Sequence, residues 1–275
     1  TKIESDLNEY TKDYKKNTDY RDVYYEDSTN GWYKNEAEYN MAKKKMLKSI
    51  YQNEGFWVGR YEAGIETNRI TSGAATTTPL SKANLYPYTY VTRTQAKVLA
   101  EKVESGNYTS SLMFGVQWDL VLAFMSKDTA KITSTDVLTK DSTTIGNYYN
   151  STFQLSQTGK YATMSNWSLS STWNPTTTST TNFVDSSRNK IAQSSDGNGI
   201  LVTTGTSEKN KVMNIYDIAG NVEEWTLEKT SRDSSPCAAR GGFYYIIGSY
   251  GPAANRFDYT NTNPNGNIGF RLSLW

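Results

Sequence analysis

The sequence contains no histidine and a single cysteine, Cys237, among its 275 residues. A Ser-His-Asp triad, a Cys-His pair and a zinc site with imidazole ligands all need histidine, so these classes of site are excluded. One cysteine cannot form an internal disulfide or a paired-cysteine metal or redox site. We expect Cys237, which follows Pro236, to be a buried apolar thiol.

The sequence also lacks an excess of charge of either sign. Its 29 basic and 28 acidic residues give a net charge of +1, so no global field attracts nucleic acid or an anionic membrane. No apolar run approaches the roughly 18 residues of a membrane span, and no signal-peptide pattern opens the chain. We predict no nucleic-acid partner and no membrane contact by these residues. Because the sequence starts at Thr1 and not at a methionine, we expect a preceding segment in the natural protein.

The fraction of hydrophobic residues is low as well. Hydrophobic residues make up 36% of the chain and the mean hydropathy is −0.68, but 21 tyrosines and 7 tryptophans add amphipathic bulk. This length and composition suit one large, loop-rich domain with an appendage. We expect a partly helical N-terminal extension over residues 1–50 and one domain over residues 51–275.

The N-terminal extension is predicted to contain one regular helix. Residues 1–34 are mostly charged residues, Asn and Tyr, so we expect short pieces that lie on the main domain. The next segment predicts an amphipathic helix over Glu36–Asn53 that ends at Gly55. Its apolar stripe contains Tyr39, Ala42, Met46 and Ile50. The run Lys43-Lys44-Lys45 is typical of a solvated helix face.

Three further elements are predicted in the first half of the domain. Residues 55–64 are bounded by glycines and rich in aromatic residues, which predicts a strand. Thr92 and Gln95 have the spacing of a capping box, so a helix is expected from there to about Glu104. Residues 109–126 predict the strongest helix, with a buried face that includes Trp118 and Phe124.

A long polar segment over residues 127–200 has no periodicity and includes the low-complexity run 176–181. Inside a compact domain such a segment forms functional loops and short hairpins. We expect Trp167 and Trp173 to attach it to the core. Residues 199–205 then predict a short strand.

Residues 216–275 contain two kinds of position. At some, the backbone geometry restricts the residue type, and between them lie short runs that fit neither a strand nor a helix. Glycines are frequent among the fixed positions because they permit positive φ, whereas a core strand rarely tolerates so many. The fixed positions are Gly220, Arg240, Gly241, Gly242, Gly248, Ser249, Pro252, Arg256, Gly269 and Phe270. The pattern predicts a loop framed by regular structure.

The same segment contains, in order, Gly220-Asn221-Val222-x-Glu224-Trp225, Arg240-Gly241-Gly242, Arg256 and Gly269-Phe270-Arg271. This series resembles the C-terminal half of the formylglycine-generating-enzyme-like domain, a variant of the C-type lectin fold. More closely, it resembles the variable proteins that diversity-generating retroelements mutate in bacteria and phages. The resemblance covers about residues 51–275. It implies an α+β, C-type lectin-like fold with two main helices, short antiparallel sheets and much irregular loop.

In these variable proteins, adenine-directed mutagenesis rewrites solvent-facing residues of a C-terminal region, here about residues 240–271. The resemblance places ligand-binding positions at Phe243, Tyr245, Ile246, Ile247, Tyr250, Ala254, Asn255, Phe257 and Asp258, with Tyr244 and Asn261 as additional candidates. Their mixture of aromatic anchors, small spacers and polar groups is typical of a binding surface. The alternative interpretation is that Phe243, Ile246 and Ile247 form a core strand.

The scaffold positions in this interpretation are Arg240, Gly241, Gly242, Arg256, Gly269 and Phe270. Gly241 and Gly242 would let the backbone turn into the loop. The two arginines can hold carbonyl or carboxylate oxygens with their five donors. Trp225 and Phe270 are expected to be buried beneath the loop.

The resemblance also implies an optional calcium site and no required cofactor. In the enzyme family, a calcium site is built around the segment that matches residues 217–224. Carried across by position, the carboxylates of Asp217 and Glu224 and the carbonyls of Gly220 and Val222 would form an oxygen set suited to calcium, with Asp217 in place of the usual asparagine. The family's copper-dependent oxidation of cysteine uses a pair of cysteines, and this chain has one, so we expect no enzyme activity. The neighbouring carboxylates Glu223 and Glu224 do not by themselves indicate a hydrolase.

Two classes of function remain open at this stage. The leading hypothesis is a receptor-like protein that binds varying protein or cell-surface targets through its C-terminal variable face. The alternative is a structural or adhesive component of a pilus tip, phage tail or surface layer, or an inactive relative of the enzyme. Either would place the protein at the cell surface, outside the cell or on a virion.

Overall fold

A computed structural model describes residues 2–15, 22–26, 32–103, 106–151, 155, 158–176, 198–260 and 262–275. These residues form a mixed α+β structure with few helices and many short strands. The helices are α1 (Lys2–Tyr10), α2 (Glu36–Asn53), α3 (Arg93–Glu101), α4 (Gly115–Met125) and α5 (Asp136–Thr139). The strands are β1 (Trp57–Val58), β2 (Gly64–Ile65), β3 (Tyr86–Pro87), β4 (Ser110–Ser111), β5 (Lys160–Ser165), β6 (Ser168–Leu169), β7 (Asn174–Pro175), β8 (Gly199–Val202), β9 (Lys211–Val212), β10 (Ile215–Tyr216), β11 (Glu223–Lys229), β12 (Cys237–Arg240), β13 (Arg256–Tyr259), β14 (Ile268–Phe270) and β15 (Ser273–Leu274).

Helix α2 has the predicted bounds. It begins where the Asn35 side chain accepts a hydrogen bond from the Glu38 N–H at 2.9 Å, which satisfies one of the free donors of the first turn. It ends at Asn53, and the next residue, Glu54, takes the left-handed conformation with φ 55°, so the residue that stops the helix is Glu54 and not the predicted Gly55. Tyr39, Met46 and Ile50 of the predicted stripe are buried.

The capping box of α3 is present as predicted. The Thr92 hydroxyl accepts from the Gln95 N–H at 3.1 Å, and the Gln95 side chain accepts from the Thr92 N–H at 2.9 Å. Both free donors at the helix start are therefore satisfied. The helix ends at Glu101, earlier than the predicted Glu104.

Helix α4 is shorter than the prediction, which started it at Thr109. Ser110 and Ser111 instead form a strand that pairs with Ser273 and Leu274 near the C-terminus. The helix begins at Gly115, where the Asp22 carboxylate accepts from the Gly115 and Val116 N–H groups, each at 2.9 Å. A carboxylate there complements the positive end of the helix dipole. Trp118 is buried as predicted, but Phe124 is 48% exposed, which corrects its assignment to the buried face.

The central sheet has the strand order β13-β12-β11-β14. Its pairs are antiparallel except β11 with β14, which run parallel. A second sheet, β1-β15-β4, brings the start of the domain against its C-terminus. The predicted strand over residues 55–64 is therefore wrong in extent: β1 and β2 each cover two residues and belong to different sheets.

The polar segment contains a further sheet. Strand β8 lies within the predicted strand over residues 199–205 and ends earlier, at Val202. It pairs with β5, and β6 and β7 also pair with β5. Trp173 is partly buried, whereas Trp167 is 63% exposed and does not attach the segment to the core as predicted. Residues 177–181 of the low-complexity run lie outside the described residues.

Two apolar clusters form the interior. The first joins Tyr39 and Met46 of α2 with Trp225 and Phe270 of the central sheet, and Cys237 is buried within it as predicted. The second joins Trp118 of α4 with residues of the loop that follows β12. Helix α2 lies mostly within the predicted N-terminal extension, but it packs in the first cluster together with the central sheet. The domain boundary at residue 50 stays a prediction. No helix in the described ranges is long and apolar enough to cross a membrane.

Candidate functional site

The loop over residues 241–255 leaves the central sheet after β12 and returns to it at β13. It opens with Gly241 at φ +93° and Gly242 at φ +72°, conformations that side chains disfavour. A Cβ atom at Gly242 would lie 2.1 Å from the carbonyl oxygen of Gly251, so the two arms of the loop approach too closely for any side chain. The loop therefore depends on glycine at this position.

A buried ion network holds both ends of the loop. Arg240, the last residue before it, donates to Glu228 at 2.5 Å and to Asp119 of α4 at 2.8 Å. Arg256, the first residue after it, donates to the same two carboxylates, at 3.1 Å and 2.9 Å. All four side chains are at most 3% exposed. Two guanidinium groups balance two carboxylates, so the charges are paired as burial requires.

Hydrogen bonds to the backbone hold the middle of the loop. The indole N–H of Trp118 donates to the Ala253 carbonyl at 3.0 Å. The Tyr148 hydroxyl lies 2.7 Å from the Gly251 carbonyl oxygen and 3.0 Å from that of Gly241. The loop is thus supported by buried side chains from α4 and from the polar segment, which favours one fixed backbone conformation.

The structure divides the sequence-predicted ligand-binding residues into two groups. The side chains of Phe243, Ile246, Ala254 and Asn255 are buried, which corrects the expectation that these positions face solvent. Phe243, Ile246 and Ala254 pack in the second apolar cluster with Trp118, which shields them from water. The remaining five are partly or fully exposed: Tyr245, Ile247, Tyr250, Phe257 and Asp258.

The three apolar residues of the alternative interpretation do not form a strand. Phe243, Ile246 and Ile247 lie in the irregular part of the loop, outside any strand, although two of them are core residues. Tyr244, an additional candidate, is fully buried. Asn261 lies outside the described residues.

The exposed aromatic rings of the loop and of β13 form a group with Trp167, a residue that the sequence did not assign to the site. We define the aromatic face as Trp167, Tyr245, Tyr250 and Phe257. Trp167 lies edge-on to Tyr245 with ring centroids 5.6 Å apart, and Tyr250 lies 5.6 Å from Phe257. Buried Phe243 links the two pairs, at 4.4 Å from Tyr245 and 5.6 Å from Phe257. The sequence predicted Trp167 as a core contact and not as part of this face, because its place depends on the fold of the polar segment.

A buried carboxyl lies in β11, the strand that pairs with β12. Glu223 of β11 accepts hydrogen bonds at Oε1 from the Tyr259 hydroxyl and the Asn267 amide, each at 2.6 Å. Its Oε2 has no hydrogen-bond partner in the described part of the chain. Burial raises the pKa of Glu223 well above its ordinary value. Burial, followed by the negative charge of Glu223, raises the pKa of Tyr245 above its ordinary value.

Both carboxylates of the implied calcium site accept hydrogen bonds within the protein. Both carboxylate oxygens of Glu224 accept from Arg271, at 2.6 to 3.1 Å. Asp217 accepts from the Gly205 N–H at 2.9 Å. Within the described ranges, no group of three or more Asp, Glu, Cys or His side chains is arranged to hold a metal ion. A calcium ion at this place would have to compete with Arg271 and the Gly205 N–H for these carboxylates, and binding there, with carbonyls of Gly220 and Val222, stays a prediction.

Comparison with known protein families finds no match, and comparison with curated protein sequences finds none either. Among solved structures, the chain is similar to Treponema denticola variable protein 1, with 14% sequence identity and a TM-score of 0.31. The likeness covers 64% of this chain and 51% of that one, so it spans about half the length of the solved protein.

Proposed function

We propose that this chain is a ligand-binding protein without enzyme activity, and that the exposed part of residues 240–271 is its binding surface. The proposal includes the finer identity suggested by the sequence. In it, a C-type lectin-like fold of the formylglycine-generating-enzyme-like type carries a region that a retroelement diversifies. Its targets are then proteins or cell-surface molecules, and its location is the cell surface, the extracellular space or a virion.

The observation that carries the proposal is the aromatic face on a fixed loop. Tyr250 is 63% exposed beside Phe257, on a loop whose two ends are held by the ion network of Arg240 and Arg256. Exposed aromatic rings are frequent anchors of protein interfaces, because they bury much area with few rotatable bonds. A loop that is already ordered loses little conformational entropy on binding.

The contrast between buried scaffold residues and exposed loop residues supports the same proposal. Positions that hold the loop, such as Arg240 and Gly242, are buried or conformationally constrained, so their replacement would damage the fold. Tyr245, Ile247, Tyr250, Phe257 and Asp258 are each partly or fully exposed, and their side chains can change with less effect on the core. A surface that tolerates many residues on a constant backbone suits a binding protein with varying targets.

The first experiment tests diversification at the level of DNA. The region around the gene is sequenced and searched for a reverse transcriptase and a near-identical repeat of the segment that encodes residues 240–271. Differences confined mainly to adenines in the codons of Tyr245, Tyr250 and Phe257 would support the proposal. Absence of any such repeat from the complete genome would contradict diversification.

The second experiment tests the binding surface itself. A photo-crosslinking amino acid is placed at position 250 and, in a separate variant, at position 51. Tyr51 is 71% exposed on α2, so it is a matched surface control outside the loop. Illumination with candidate cells or virions is expected to give a crosslinked product for position 250 alone. Equal crosslinking at both positions would contradict a binding surface on the loop.

A further inference from the structure

A cavity lies where the N-terminal extension meets the domain. Its volume is about 660 Å³, within the range of sites that hold small ligands, roughly 300–1,000 Å³. Helices α1, α2 and α4 form its walls, together with residues in and next to β1 and β10. Spaces of this size between packed helices are frequent ligand sites. None of the described residues that line it belongs to the aromatic face or to residues 240–271.

The inner wall of this cavity consists of hydrocarbon. Ile50, Val121 and Ile215 are at most 8% exposed, and Leu7 and Phe56 pack against the apolar clusters. A buried water molecule needs about two to four polar partners, which these side chains do not supply. An occupant that suits this wall therefore has an apolar body.

Three aromatic rings lie at the mouth of the cavity, one from each helix. Tyr10 of α1, Tyr51 of α2 and Phe124 of α4 line it and are 59%, 71% and 48% exposed. The face of an aromatic ring carries negative potential and attracts a cation within about 6 Å of its centre. The mouth therefore offers surfaces that suit a positive charge.

The backbone adds negative potential at the same place. Helices α1, α2 and α4 end at Tyr10, Asn53 and Met125, and the last turn of each contributes a residue to the cavity. The carbonyl groups at a helix end carry the negative end of the helix dipole, which a lysine or arginine in the last turn would compensate. None of these three last turns contains either residue.

The charged side chains around the cavity favour the same sign. Its described lining includes two carboxylates, Asp6 and Glu54, and one cation, Lys127. Asp6 is paired with Lys2 at 2.7 Å, whereas Glu54 forms no ion pair with a described residue. Lys127 forms none either, but it follows α4 by two residues, where its charge compensates the dipole of that helix. The Glu54 carboxylate is therefore the group available to a ligand.

We propose that this cavity binds a small molecule, free in solution, that has an apolar body and a cationic ammonium head. The body fills the space between Leu7, Val121 and Ile215. The head lies at the mouth, where it donates to the Glu54 carboxylate and faces the exposed aromatic rings. The inference does not depend on the proposed function, because the two sites share no residue.

The test compares three probes that share one eight-carbon chain: octylammonium, octan-1-ol and octanoate. Isothermal titration calorimetry with the full chain, below the concentrations at which the probes aggregate, gives the Kd of each. Octylammonium is expected to bind about threefold or more tighter than octan-1-ol, as for one exposed ion pair, and octanoate more weakly than octan-1-ol. No saturable binding of octylammonium, or binding no tighter than that of either other probe, would overturn the proposal.

Two matched pairs of variants locate the bound probe. Glu54→Gln should weaken octylammonium about threefold and leave octan-1-ol unchanged, whereas Glu66→Gln, outside the cavity, changes neither. Tyr51→Ala should weaken all three probes because it removes apolar contact area, whereas Tyr250→Ala, which removes a similarly exposed ring of the aromatic face, leaves them unchanged. All four variants replace exposed side chains, so each is expected to fold. Equal effects within either pair would overturn the proposal.

This inference and the proposed function fail independently. Failure of octylammonium to bind would refute the cavity as a ligand site and leave the crosslinking result at position 250 as it stands. Position 51 remains a valid control in that experiment, because a small molecule captured there adds little mass and is distinguished from a macromolecular target.

Discussion

The guanidinium of Arg256 donates to both carboxylate oxygens of Asp119, at 3.0 and 2.9 Å, although the two residues are 137 positions apart. Arg240 donates to the same carboxylate at 2.8 Å. One aspartate on α4 therefore binds both ends of the loop that carries the candidate site. The geometry of the binding surface depends on a residue that does not belong to it.

Removal of this aspartate should destabilise the fold strongly. Asp119→Ala leaves two buried guanidinium groups with one carboxylate, and breaking a buried ion pair from one side costs about 3–5 kcal/mol. Chemical denaturation of the variant and the natural protein would measure the difference in the free energy of unfolding. The matched control is Arg232→Ala, which breaks the exposed pair of Arg232 with Asp258 and should cost less than about 1 kcal/mol. Equal losses in both variants would contradict the role assigned to Asp119.

Gly242→Ala should destabilise the loop by more than backbone strain alone. The control is Gly106→Ala, because Gly106 also has positive φ, +63°, but a Cβ there meets nothing within 4 Å. We expect a cost of about 1 kcal/mol for Gly106→Ala from the left-handed conformation. The Gly242→Ala variant should lose a further 1–3 kcal/mol or so, because its Cβ would lie 2.1 Å from the Gly251 carbonyl oxygen. Thermal and denaturant unfolding of both variants would measure these costs, and a smaller loss for Gly242→Ala would refute the close approach of the loop arms.

Local signals in the sequence predicted some elements well. The bounds of α2 follow from its apolar stripe, and the start of α3 follows from the spacing of Thr92 and Gln95. These features need no information from distant parts of the chain. The start of α4 was wrong because Ser110 and Ser111 pair with strand β15, near the end of the chain. A helical period cannot reveal such a distant partner.

The candidate site shows the same limit. The sequence indicated a loop after Arg240 and the need for glycine at its start. It did not distinguish Phe243, which faces the core, from Tyr245, which is partly exposed, because that depends on where Trp118 packs. It also gave no sign that Glu223 and Glu224 differ. Neighbours in a strand point to opposite faces, and only one face of β11 brings an arginine to its carboxylates.

The buried carboxyl of Glu62 should make stability depend on pH. It accepts from the Asn221 amide at 2.7 Å and from the Val222 N–H at 3.2 Å. Burial, followed by the negative charges of Asp217 and Glu224, raises the pKa of Glu62 well above its ordinary value. Burial also raises the pKa of Asp217 to about 6. Both groups bind a proton more tightly in the folded state than in the unfolded state.

The sign of the effect follows from linkage. Stability from a raised carboxyl pKa is fully present below the unfolded value of roughly 4 and is lost as pH rises through the folded value. The natural protein should therefore lose stability relative to Glu62→Gln as pH rises above about 4, by up to about 1.4 kcal/mol per pH unit. Denaturant unfolding at a series of pH values would measure this difference. Exposed Glu66→Gln is the control and should run parallel to the natural protein, and a parallel course for Glu62→Gln would refute the prediction.

Calcium should not stabilise the fold. Binding by Glu224 would require its two oxygens to exchange Arg271 for the ion, which would leave a buried guanidinium without its carboxylate. We expect the same melting temperature with excess calcium, with excess magnesium and with a chelator. A rise that depends on calcium alone and disappears in Asp217→Asn would instead support the site implied by the sequence resemblance.

Target binding should depend weakly on salt. The net charge of the chain is +1, and Asp258, the one charged residue among the predicted ligand-binding positions, is paired with Arg232 at 3.1 Å. Little long-range attraction is left for salt to screen. The measurement is a titration of an identified target at increasing ionic strength. A fall in affinity of more than about tenfold, as the Debye length drops from roughly 30 to 8 Å, would mean that exposed charges outside the loop control recognition.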